Sequence, residues 1–429
     1  GRALIQMGEY GESQPKLDRA LALATAEQLP QIQANTLRAL GVVAYFAGDY
    51  TKAEATYAQA LPLYQDIGDR RGKAQLLSNL GLALREQGGY AEARGYFDAA
   101  LQLCQEIGDR DRSAAVLVNL GLLCYDRGQY VASRTYYEQA LDISRQIGSR
   151  ASEALALLGI GDVYKEQMAF THAVTHYEQA LLIFRTIGDR REEHLALKEL
   201  ANIALSQGDF ATARTQYEAA LTCFREIGDR QSECGTLQRL SLLYHQSGDA
   251  EAARRNSQMA LTIAREIGDL WLQSASLTKL GHALAGLQQP DAAIDCYQEA
   301  VQLWRAQGRP DLALESVAGL AHIMLERGDP VQAQTYAAEI ITEFEDDTFP
   351  NHDMATEYLT CYRVLRVNRD ARAEAILKTI YEQIQATAAQ INEDALRRSY
   401  LGNVPAHREI IRVWDALHDL PTTKVEVGR

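Results

Sequence analysis

His172 and His176 stand four apart in the segment HAVTH. That spacing puts two imidazoles on one face of a helix, where they could grip a zinc ion. The glutamate that serves as general base in HExxH is missing, and the stretch reads as an ordinary amphipathic helix, so no metal site is assigned to it. His282 and His322 are forty residues apart in one column of a repeating pattern. Neighbouring helices lie ~8–10 Å apart, too far for one shared metal ion, so both read as polar groove-lining residues. The six cysteines (Cys104, Cys124, Cys223, Cys234, Cys296, Cys361) show no CxxC and no paired spacing. They read as reduced, small core residues of a cytoplasmic protein. Neither a phosphate-binding GxxxxGKS/T nor a GxSxG nucleophile elbow occurs. No catalytic residue, metal or cofactor is expected, and function has to come from surface.

The bulk numbers narrow the class of surface. The 429 residues are 47% hydrophobic and 23% charged, with nine prolines and thirty glycines, which suits a folded soluble chain. The net charge of −14 has the wrong sign for a nucleic-acid backbone. No apolar run approaches the ~18 residues that cross a bilayer, so no membrane partner is expected. No segment resembles a signal peptide.

The elements that must build the surface follow from a period. The tetrapeptide IGDR occurs at Ile67, Ile107, Ile187 and Ile227, with IGSR at Ile147 and IGDL at Ile267, at steps of forty residues or a multiple. Stacked on that period, one column is uniformly small: Gly41, Gly81, Gly121, Gly161, Ala201, Ser241, Gly281, Ala321. Another is mostly aromatic: Tyr57, Phe97, Tyr137, Tyr177, Tyr217, Ser257, Tyr297, Ala337. Leu76, Leu77, Leu80 and Leu84 fall at helical spacing, as do Ala93, Phe97, Ala100, Leu101 and Cys104, so each period holds two helices. In IGDR the glycine stops one helix in the left-handed conformation and the aspartate caps the next. The isoleucine seals the joint and the arginine is expected in solvent. Asp189 and Glu192 have the spacing of a reciprocal capping box. A small residue at each helix crossing, with an aromatic beside it, predicts an all-α, right-handed α-solenoid of antiparallel helix pairs.

The leucine-glycine pair followed by alanine, aromatic and alanine (Leu80, Gly81, Ala93, Phe97, Ala100) resembles the tetratricopeptide repeat, in a variety lengthened to forty residues. The resemblance covers about residues 1–345. It implies a superhelix over 1–348, one partial plus eight repeats, then a C-terminal helical cap over 349–420 and a tail at 421–429. The run Ala395–Glu409 resembles the C-terminal end of multi-domain bacterial signal-transduction ATPases and of activators related to antibiotic regulatory proteins. In those, repeats follow a nucleotide-binding switch module. The opening GRALIQMGEY matches the end of a first helix, so upstream domains of a longer chain are expected.

In the resembled fold the first helices line a concave groove that receives a protein or peptide. The inward columns of this sequence give Arg38, Tyr45, Asn79, Arg85, Val118, Asn119, Leu122, Tyr125, Leu155, Leu158, Lys165, Leu195, Lys198, Asn202, Arg239, Lys279 and His282. Asn79 and Asn119 stand where related scaffolds hold a peptide backbone. Leu155, Leu158 and Leu195 put apolar surface where a solvated face would be polar, either exposed for contact or buried between repeats. The lysines and arginines would steer an acidic flank. The expectation is a non-enzymatic interaction scaffold, the sensor or partner-binding arm of a larger bacterial regulator. A small-molecule sensor with an inner pocket and an oligomerisation arm are the alternatives.

Overall fold

The computed structural model describes residues 10–345, 354–391 and 393–418. Twenty-one α-helices follow one another among the described residues. They are α1 (Tyr10–Ala26), α2 (Pro30–Phe46), α3 (Tyr50–Asp66), α4 (Arg70–Glu86), α5 (Tyr90–Glu106), α6 (Arg110–Asp126) and α7 (Tyr130–Ile147). Then come α8 (Arg150–Glu166), α9 (Phe170–Ile187), α10 (Arg190–Ser206), α11 (Phe210–Ile227), α12 (Arg230–Gln246), α13 (Ala250–Ile267) and α14 (Leu270–Gly286). The last are α15 (Pro290–Ala306), α16 (Leu314–Glu326), α17 (Pro330–Glu345), α18 (Ala355–Val367), α19 (Ala373–Gln390), α20 (Asp394–Gly402) and α21 (Pro405–Leu417). The polar break at 346–353 and the tail at 421–429 lie outside the described residues. No described helix is long and apolar enough to cross a membrane. The fold is the tetratricopeptide-type α-solenoid.

The forty-residue period is two equal halves. A residue with positive φ recurs every twenty positions from Gln28 to Gly328, each closing one helix before the next begins. Aspartate caps the following helix: Asp49 accepts from the Lys52 amide at 3.0 Å, Asp69 from Gly72 at 2.8 Å and Asp249 from Ala252 at 2.9 Å. Gly108 has φ +70°, and an added Cβ there would meet nothing within 4 Å. Its substitution therefore tests backbone strain alone. Gly108→Val is expected to cost about 1–3 kcal/mol, read as a lower urea midpoint; an unchanged midpoint would sink this account of the joint.

One expectation for the joint needs an addition and one a correction. The IGDR arginines are exposed but not unpartnered. Arg70 pairs with Glu106, Arg190 with Glu226 at 2.6 Å and Arg230 with Glu266, each reaching from the start of a first helix to the second helix of the same pair. The arginine thus ties the start of the first helix to the end of the second. The capping box at Asp189 is half made: Asp189 accepts from the Glu192 amide at 3.2 Å, but the Glu192 carboxylate turns to Arg191 at 2.7 Å. The Asp189 amide is already donated to the Phe184 carbonyl.

The small and aromatic columns meet as expected. A Cβ on Gly41, Gly81, Gly121, Gly161 or Gly281 would lie 2.3–2.7 Å from the ring of Tyr57, Phe97, Tyr137, Tyr177 or Tyr297. Where serines replace both partners, Ser241 and Ser257 each donate to the Ala253 carbonyl at 2.9 Å.

Two compact units share the chain: residues 1–163 with 175–196 and 226–229, and residues 164–174 with 197–225 and 230–429. One core of the first unit gathers Leu37, Tyr57, Tyr64, Leu76 and Leu80. In the second, the core around Leu280, Tyr297, Trp304 and Val317 continues into Cys361, Val364 and Leu365 of α18, which packs as the first helix of a further pair. Cys234 and Cys361 are buried thiols pushed up to about 12 by desolvation, the behaviour of inert core residues.

Candidate functional site

The first helix of each pair buries one stripe on its partners and turns another outward. That outward stripe holds the candidate residues. In the first unit it opens with Arg38, whose Nε donates to the Tyr64 hydroxyl at 3.3 Å, and that hydroxyl donates to Asn35 at 3.0 Å. The Tyr45 hydroxyl donates to Glu86 at 3.0 Å. Arg85 pairs with Glu86 and, at 3.1 Å, with Asp126. One cation thus faces two carboxylates, and no excess positive charge remains there.

The two asparagines are spent largely on the scaffold. Asn119 Nδ2 donates to Ser78 of the preceding repeat at 3.0 Å, and Asn79 hydrogen-bonds Tyr57. Beyond them the stripe turns apolar. Val118 and Leu122 on α6, Leu155 and Leu158 on α8 and Leu195 on α10 are all half-buried, with half-buried Tyr125 at the end of α6. Both expectations for the leucines are met in part: each packs one side against the scaffold and leaves the other open.

In the second unit the stripe is polar and built around two carboxylates. Glu199 accepts from Lys165 at 2.6 Å and from Asn202 at 3.0 Å, and lies 3.7 Å from Lys198. The Tyr217 hydroxyl rises from the second helix and donates to Asn202 at 2.6 Å. Desolvation alone would raise the Glu199 carboxyl, but the two lysines outweigh it and hold the group well below the usual range. Lys165 and Lys198 are thus engaged with an internal carboxylate. Three repeats on, Glu315 pairs with Lys279 and, at 2.9 Å, with His282 Nε2, while His282 Nδ1 meets the Tyr297 hydroxyl at 2.7 Å. His245 stacks on His282 at 5.4 Å. Arg239 stands exposed between these clusters in sequence.

Glu315 was not singled out from sequence; its signal is the lone carboxylate in a column that reads Ala115, Leu155, Leu195, Gly235 and Ala275. His172 stacks on Tyr164 at 5.1 Å, and His322 lies 3.4 Å from Glu326. Among the described residues no three His, Cys, Asp or Glu side chains converge as metal ligands.

The tetratricopeptide repeat profile matches residues 1–66, 72–146, 112–186, 152–226 and 192–266, and a second profile of that repeat matches 274–304. The matched profiles describe a repeat and indicate no catalytic family. No curated protein matches the chain. Several solved structures are similar. One is a signal transduction ATPase with numerous domains, carrying a tetratricopeptide repeat sensor, from Pyrococcus horikoshii: TM-score 0.54 at 15% identity, covering 83% of this chain and 55% of that one. The chain therefore spans little more than half of that protein. Another is aspartyl phosphate phosphatase F from Bacillus subtilis, with TM-score 0.54 at 14% identity, covering 78% and 93%. A third is a Rap protein complexed with competence and sporulation factor, with TM-score 0.53 at 17% identity, covering 80% and 98%. At these identities the likeness is one of fold.

Proposed function

The chain belongs to the tetratricopeptide repeat family, and from that premise we infer that it is a non-enzymatic interaction scaffold whose first-helix face receives a protein or peptide. The observation that carries this reading is the half-buried apolar patch of Val118, Leu122, Leu155, Leu158 and Leu195 in the first unit. Side chains that stay half open on a face otherwise lined by hydrogen-bonded polar groups are suited to anchor apolar residues of a partner. The placement in a larger signalling ATPase or regulator, as its sensor arm, is part of the same proposal. It is supported by the likeness to the sensor of the Pyrococcus protein and by the run Ala395–Glu409.

The experiment uses peptides selected from a random library on the wild-type chain. Leu158→Asp is expected to weaken those that bind by about 30-fold, the effect of losing one anchor of ~2 kcal/mol, with an unchanged helical circular-dichroism signal. Equal affinity for a folded Leu158→Asp variant would move the contact off this patch.

A further inference from the structure

Thirteen glycines take positive φ. At twelve of them an added Cβ would meet nothing within 4 Å. Gly208 is the exception: a Cβ there would lie 2.8 Å from Asn403 Cβ and 2.9 Å from the Ser399 carbonyl oxygen. Asn403 Nδ2 also donates to the Gly208 carbonyl at 3.2 Å, from 195 residues further along the chain. Two helices before Gly208, the equivalent turn place is taken by Met168 at φ +55°, a conformation that favours glycine. Its sulfur accepts from Thr387 Oγ1 at 3.2 Å, across 219 residues. Leu205 and Gln207 beside Gly208 are buried, whereas the equivalent Gln87, Arg127 and Ser247 are exposed. Two consecutive turns from a first to a second helix thus meet the C-terminal segment. Met168, Gly208, Thr387, Ser399 and Asn403 all lie in the second unit.

We propose that Thr387 of α19, with Ser399 and Asn403 at the end of α20, forms a latch that closes the second unit on itself, giving that unit a closed and an open state. Each side of the seam is anchored without it. The helix α18 belongs to the core through Cys361, Val364 and Leu365. Buried Ile410 lies in α21, and Glu409 there is 3.6 Å from Arg363 of α18. The start of α20 is tied to the end of α19, because the Arg397 guanidinium donates to the carbonyls of Ala388 at 3.2 Å and Ile391 at 2.7 Å. Across the seam the two hydrogen bonds are neutral, and one ends on a thioether, a weak acceptor. Such a contact can part while both sides stay folded. A partner that fits one state better than the other would shift the balance between them.

The test is a cysteine pair, Met168→Cys with Thr387→Cys, in the full chain. Five of the native cysteines are buried and Cys296 is half-buried, so the new pair dominates oxidation. Peptide mapping is expected to find the 168–387 disulfide in most molecules after mild oxidation. Adding Asn403→Arg, which crowds Gly208, is expected to slow that bond's formation about tenfold, since thiol exchange follows access. Helical signal and melting temperature should stay near those of the pair alone. Absence of the 168–387 disulfide would overturn the proposal. So would an unchanged rate with Asn403→Arg. Loss of helical signal with Asn403→Arg would make the seam an integral part of the fold and overturn the latch equally.

Discussion

Gly281→Leu is expected to lower stability by about 3 kcal/mol, the upper end for overpacking a filled core. A Cβ at 281 would lie 2.4 Å from Tyr297 Cε1 and 2.6 Å from Cδ1. The ring has nowhere to retreat, because on its other side a Cβ at Gly319 would come within 2.4 Å of Cζ. Its hydroxyl is tied to His282 at 2.7 Å, and the residue is 1% exposed. Leucine at 281 must therefore expel the ring or separate two helices. Tyr297→Ala alone is expected to cost about 3–5 kcal/mol through the cavity it leaves. The double variant should cost clearly less than the sum, since each change relieves the other. Trp304 is buried at the end of α15, edge-on to Trp271 at 4.9 Å, so tryptophan fluorescence during urea unfolding reports on this region. A wild-type midpoint for Gly281→Leu, or strict additivity, would refute this account of the small column.

That column was legible because it repeats. One glycine says little, but five glycines each facing an aromatic sixteen residues later specify a crossing, and the solenoid follows from the stack. The turns were legible wherever glycine marks them. They were not at Gln28 and Met168, where the same positive φ is set by the register of the two flanking helices instead of by residue type. The IGDR arginine was read correctly as exposed, but its ion pair was not visible, because the partner lies thirty-six residues away and no local pattern links the two. The site divides in the same way. Its outward columns followed from helical period, and the leucines were visible as apolar residues out of place. How the charges are shared was not visible. That Lys165 and Lys198 both serve Glu199 depends on which rotamers meet between neighbouring repeats, and Glu315 lies one repeat beyond the lysine it holds. The seam at Gly208 and Met168 leaves no trace in the pattern, because neutral residues some two hundred positions apart carry it.

Glu199→Gln should cost about 2 kcal/mol at neutral pH, below the ~3–5 kcal/mol of a fully buried pair because the partners retain some water. Side-chain exposures of 22% for Lys165, 15% for Glu199 and 21% for Lys198 set that discount. The amide keeps the shape of the side chain and can still pair with Asn202. It removes the carboxylate that Lys165 meets at 2.6 Å and Lys198 at 3.7 Å, and with it the charge that these two ammonium groups share. The pH dependence separates this from a packing effect. The folded-state carboxyl is held below its unfolded value of about 4.3, because Lys165 and Lys198 together outweigh desolvation. A depressed carboxylate contributes its stability in full above the unfolded value and loses it as pH falls towards the folded one. Wild type should therefore exceed Glu199→Gln by about 2 kcal/mol at pH 7, with the gap narrowing below about pH 4 as protonation makes the wild-type side chain neutral too. Urea unfolding of both proteins at a series of pH values reads that gap directly. A gap that stays constant down to acid pH would mean that glutamine perturbs packing, and that the lysines do not hold Glu199 in its charged form.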